Sequence, residues 1–159
     1  MKFPYIKDIS HTEKMRVKSY PIIYKSMEPR IITAPMTARW IEEIPEIGKR
    51  LPENCLLDKG ITGCGATSLA ITNDRSTLIA APTVNLIKNK MQAHPDLLGV
   101  YGGVTNQEIA DYLKTHDCWK IMATYDAIPR VADVVGAEIY SKAFLLVDEY
   151  HRLLFDYSF

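Results

Sequence analysis

Two short stretches carry the residue types that could handle a phosphorylated, metal-bound ligand. Leu56 to Ile71 reads LLDKGITGCGATSLAI: an apolar run, a glycine-crowded turn, then small helix-compatible residues. Backbone N–H groups left free in such a turn and at the helix behind it bind phosphate oxygens, and glycine lets the backbone come close. The spacing G-x-x-x-x-G-K-[ST] is met at Gly60, Gly65 and Thr67, but the lysine position holds Ala66. The expected cofactor contacts are therefore Lys59, Gly60, Thr62, Gly63, Cys64, Gly65, Ala66, Thr67 and Ser68. In the second stretch, FLLVDEYH, Asp148 and Glu149 follow directly on an apolar run. A hydroxyl at a helix start and a carboxylate at a strand end make a donor pair for magnesium, which assigns Thr67 and Asp148 to a metal. Glu149, one residue on, is placed to orient an attacking water as a general base. Lys59 is the one cation near the loop that could swing over it in place of the missing lysine; the alternative is a strand-end lysine in solvent.

Positioning these residues calls for strands that end at the ligand and helices that begin there. The spacing of Trp40, Ile41, Ile44, Ile47 and Leu51 predicts a helix from Thr37, kinked or divided by Pro45. After it, short apolar runs alternate with amphipathic segments. NCLLD, STLIAAP, LLGVYGG, WKIMAT and AFLLVDE read as strands; helices are predicted from Gly65 to Thr72, from Val84 to about Met91, over NQEIADYLKTH and, more weakly, over YDAIPRVADVV. Thr105 and Glu108 form a capping box at the third helix. Such alternation predicts an α/β fold, a mostly parallel sheet with helices on both faces and ligands beyond the carboxyl ends of the strands.

The bulk composition removes several function classes. The chain has 159 residues, 47% hydrophobic, with 19 basic and 19 acidic side chains, so one core is expected and no global basic charge argues for nucleic acid. No apolar run approaches the roughly 18 residues that span a bilayer, so the expected setting is cytoplasmic, without a membrane partner. Cys55, Cys64 and Cys118 are odd in number and lack a C-x-x-C pair, against a disulfide framework or a zinc site. His116 with Cys118 is too small a cluster for a metal. Residues 1–35 read as a basic, mostly irregular arm, with Lys2, Lys7, Lys14, Arg16, Lys18, Lys25 and Arg30 against Asp8, Glu13 and Glu28, and residues 36–159 as the domain.

Asp148-Glu149-Tyr150-His151 after FLLV resembles motif II of the DExH branch of superfamily 2 helicases and translocases, with KGITGCGATS in the place of motif I. IAAPTVNLIKNK resembles motif Ia, and IMATYDAI the later strand end with its T-x-x turn. The wording also resembles helicase-like proteins of phages and mobile elements. The resemblance covers about residues 56–151 and implies a RecA-like P-loop domain, the first of two. It implies ATP and Mg2+ as cofactors, DNA or RNA as partner, Pro82, Thr83, Thr124 and Tyr125 along the nucleic-acid track, and a second RecA-like domain that completes the site. The sequence ends a few residues past motif II, so the expectation is a truncated first domain that does not unwind alone.

Ala66 departs from the family pattern. Losing one preorganised donor at a reacting centre costs on the order of 100-fold to 1,000-fold in rate. Two functions are therefore expected as alternatives: an ATP-binding domain derived from a nucleic-acid-dependent ATPase, and a non-hydrolysing nucleotide- or nucleic-acid-binding module. A dinucleotide site built on Gly63, Gly65 and Ser68 lacks the acidic residue expected at the end of the second strand, which reads IAAPT. Tyr125 and Tyr101 are placed to stack on bases, and Cys64 to be a reactive thiol near a helix N-terminus; plain packing is the alternative for each.

Overall fold

The computed structural model describes residues 32, 34–35, 37–58 and 63–155, most of a compact unit, Ala34–Phe159. The expected basic arm and loop residues Lys59, Gly60 and Thr62 lie outside the described residues. A short 3-10 turn, Ile41–Glu43, is followed by α1 (Ala66–Thr72), β1 (Thr77–Ala81), α2 (Val84–Ala93), β2 (Leu98–Val100), α3 (Asn106–Thr115) and β3 (Lys120–Thr124). A second 3-10 turn, Tyr125–Ala127, leads into α4 (Ile128–Val135), α5 (Glu138–Lys142), β4 (Phe144–Val147) and α6 (Tyr150–Phe155).

The four strands form one all-parallel sheet in the order β2-β3-β1-β4. Its central strands read as near-continuous apolar runs because both faces are covered. On one face Ile79, Ala81 and Met122 pack with Leu69, Ala70 and Ile71 of α1 and Ile87 of α2. On the other, Leu78, Ile121 and Ala123 pack with Ile109 of α3 and Val131 of α4. The sequence therefore reads correctly as α/β with helices on both faces.

Local chemistry fixes the helix starts. Thr83 caps α2 by accepting the Leu86 N–H at 3.3 Å. At α3 the expected capping box is present: Glu108 N–H donates to Thr105 Oγ1 at 3.2 Å, and Thr105 N–H to Glu108 Oε2 at 2.7 Å. Gly65, at φ 89°, turns the chain into α1, a left-handed conformation that favours glycine.

Two expected elements are absent. NCLLD is not a strand: Asn54 stands at φ 52°, and the segment runs irregularly past an exposed Leu56. The predicted helix from Thr37 is only the turn Ile41–Glu43 and further turns, because Pro45 supplies no N–H and its ring opposes the carbonyl four residues back. The apolar spacing still marks the packed face, since Ile41 and Leu51 are buried and Ile44 and Ile47 pack against the same cluster.

Gly99 shows how closely α2 lies on β2. A Cβ there would stand 2.6 Å from Ile87 Cγ2 and nearer still to Met91 Sδ. Met91 can bend away, but Ile87 is fully buried and stiff at its branched Cβ. Gly99→Ala is expected to cost about 1–3 kcal/mol, read as a lower urea midpoint at an unchanged m value.

Candidate functional site

Parallel register brings Pro82, Thr83, Thr124, Tyr125, Asp148 and Glu149 to one end of the sheet. Ala81 pairs with Thr124, and Asp148 N–H donates to the Ala80 carbonyl at 2.9 Å, so the ends of β3, β1 and β4 lie side by side. Pro82 and Thr83 follow β1, and Thr124 and Tyr125 close β3 on the neighbouring strand. This is the end at which ligands bind in parallel α/β sheets.

The closest union is between the two proposed metal ligands. Thr67 Oγ1, in the first turn of α1, donates to Asp148 Oδ2 at 2.7 Å across 81 residues of chain. Asp148 is 8% exposed, and its other oxygen, Oδ1, accepts the Glu149 N–H at 3.1 Å. The carboxylate is thus held on both oxygens. Glu149 sits at φ 51°, in the left-handed region, and its carboxylate lies 3.7 Å from Arg152 Nη1 at the surface.

Ala66 is buried in the apolar cluster, so the position that the lysine pattern reserves for a cation is filled by a packed methyl group. Gly63 and Gly65 both have positive φ, at 73° and 89°. Cys64 is buried, and its carbonyl accepts the Ile41 N–H at 2.8 Å, which ties the 3-10 turn to the loop. That burial and backbone contact give Cys64 the packing role.

Two residues that sequence reasoning did not bring to this place stand beside the loop. Lys90 Nζ donates to Ser68 Oγ at 2.9 Å, reaching back along α2 because helical side chains lean toward their own N-terminus. Only that lean, together with the expectation of α1 and α2 on one face, could have placed Lys90 in advance. Trp40 is 41% exposed, carries the Arg39 guanidinium 5.2 Å from its ring centroid, and packs against Gly65. It borders a shallow cleft of about 350 Å3 lined also by Cys64, Gly65, Ser68 and Leu69. Helical spacing marked Trp40 as a packing residue, and nothing in the sequence linked it to the loop.

Tyr125 is 8% exposed, and its hydroxyl donates to the Asp148 carbonyl and, at 3.2 Å, to that of Glu149. Its ring therefore packs in the fold and is not displayed for base stacking. Thr124 is buried as well, and its Oγ1 has no hydrogen-bond partner among the described residues.

The described residues contain no group of three or more His, Cys, Asp or Glu side chains arranged to hold a metal ion, and no helix long and apolar enough to cross a membrane. Comparison of the chain with family models, with curated proteins and with solved structures gave no match.

Proposed function

We propose that this chain is a RecA-like P-loop domain of the superfamily 2 DExH type, which binds magnesium-ATP and works on DNA or RNA together with a second RecA-like domain. The observation that carries the reading is the 2.7 Å bond from Thr67 Oγ1 to Asp148 Oδ2, which joins a glycine-turn helix to an acidic strand end in an all-parallel sheet.

The residues present fit the cofactor. Magnesium is commonly held by one or two protein oxygens, with water and phosphate completing its shell. Thr67 Oγ1 and Asp148 are the groups that would hold it. Magnesium bound there supplies neutralisation of phosphate charge. The chain's own part is to offer backbone N–H groups over residues 63–67 to phosphate oxygens, to fix the Asp148 carboxylate through the Glu149 N–H, and to set Glu149 where it can orient water. The cleft beside Trp40 offers an apolar face for the base. Pro82 and Thr83, at the end of β1, form the nucleic-acid edge in this reading, and Thr124 and Tyr125 are buried.

The packed methyl of Ala66 favours a second reading for turnover: the site binds nucleotide and does not hydrolyse it at the rate of its parent class. Lys90, already at Ser68, is the described cation best placed to share the phosphate charge.

Calorimetric titration of magnesium-ATP tests both readings. Saturable, magnesium-dependent binding is expected, with Lys90→Met weakening it about three- to tenfold. Lys59→Ala in parallel shows whether the lysine before Gly60 has the larger share. A folded chain that takes up no magnesium-ATP overturns the nucleotide site.

A further inference from the structure

The Tyr125 hydroxyl spans two strands. Tyr125 begins the turn that follows β3, and Asp148 and Glu149 follow β4, with β1 lying between the two. Its single O–H proton is shared between two main-chain carbonyls, those of Asp148 and Glu149. Those carbonyls belong to the turn in which Glu149 is held at φ 51°, a left-handed conformation disfavoured for a residue with a Cβ. The same turn aims the Glu149 N–H at Asp148 Oδ1 and so sets the carboxylate that meets Thr67. The Glu149 carbonyl also accepts the Arg152 N–H at 2.8 Å, carrying the restraint into α6.

We propose that Tyr125 is a positioning residue: its buried hydroxyl holds the Asp148-Glu149 turn in the conformation that presents Asp148 to a divalent cation, and thereby ties the end of β3 to the metal pair. The metal half of this proposal rests on the nucleotide-site reading; the conformational half does not.

The test uses the full chain with Tyr125→Phe and, as a rescue, p-aminophenylalanine at position 125, which keeps an N–H donor at the ring's far end. Two readouts are taken: hydrogen exchange at the amides of Glu149 and Arg152, and ATP affinity with Mg2+ and with EDTA. Tyr125→Phe is expected to speed exchange at these amides and to lower the magnesium-dependent part of ATP affinity about three- to tenfold. Affinity in EDTA should not move, and the rescue should restore both changes. A merely structural tyrosine would instead lower the unfolding midpoint and both affinities together. Unchanged exchange at Glu149 and Arg152 overturns the proposal whatever the nucleotide does. Faster exchange in a chain whose wild type takes no magnesium-ATP overturns the nucleotide reading and the metal role, and leaves Tyr125 as the support of the turn. If Tyr125→Phe does not fold, p-aminophenylalanine against p-methylphenylalanine at the same position gives the donor and non-donor comparison.

Discussion

Asp148→Asn is expected to abolish the magnesium dependence of ATP binding while leaving the chain folded. The asparagine keeps the shape of the side chain and an oxygen that can accept from Thr67 or Glu149, but it removes the charge. Magnesium prefers anionic oxygen, and among the described residues no cluster of three or more His, Cys, Asp or Glu side chains offers an alternative site. Charge-assisted contacts are roughly twice as strong as neutral ones, so the loss should be at least about tenfold in the affinity measured with Mg2+, and negligible in EDTA. Asp148→Ala should add a stability cost, because Thr67 Oγ1 and the Glu149 N–H both lose an acceptor in a buried place. Equal affinities with and without Mg2+ in the wild type, or an undiminished magnesium effect in Asp148→Asn, would remove Asp148 from the metal role.

Lys120→Met is expected to be the most destabilising single change at the opposite end of the sheet. Lys120 opens β3 and is 8% exposed. Its ammonium donates to the Asn73 carbonyl at 2.9 Å, to Asn73 Oδ1 at 2.7 Å and to the Arg75 carbonyl. Asn73 is the residue that ends α1, so the ammonium also sits at the negative end of that helix. Methionine keeps the length and removes every donor. The Asn73 carbonyl is left without the ammonium, and the expected loss is about 2–4 kcal/mol in denaturant unfolding. Burial holds the folded Lys120 pKa below its usual 10.5, with the Cys118 side chain acting against it. The unfolded chain therefore binds more protons between the lowered folded value and 10.5, and this group's contribution to stability rises with pH across that window. The gap between wild type and Lys120→Met should accordingly widen as pH climbs toward 10.5. A constant gap would mean that the ammonium is not penalised in the fold.

Much of this arrangement is legible in the residues themselves. β1 and β3 announce themselves as short, mainly apolar runs because helices cover both faces of the sheet, and β4 ends at the two carboxylates as FLLVDE suggests. Thr105 and Glu108 cap α3 as their spacing dictates, since a capping box is decided within four residues. NCLLD misleads because three apolar residues do not outweigh the left-handed turn at Asn54 just before them. The segment after Thr37 has a helical pattern of buried residues without a helix, because Pro45 breaks the ladder while the apolar side chains still find the core. Lys90 and Tyr125 were hidden for a different reason. Their roles depend on which strands and helices become neighbours: Lys90 meets Ser68 only because α1 and α2 share a face, and Tyr125 reaches Asp148 only because β1 alone separates β3 from β4.

A crystal structure of the chain grown with ATP and Mn2+, collected at the manganese edge so that the ion is located by its anomalous signal, tests the nucleotide site most directly. One peak is expected in contact with Thr67 Oγ1 and the Asp148 carboxylate, with phosphate density against the backbone of residues 63–67. A manganese peak elsewhere, or nucleotide bound away from that end of the sheet, would contradict it.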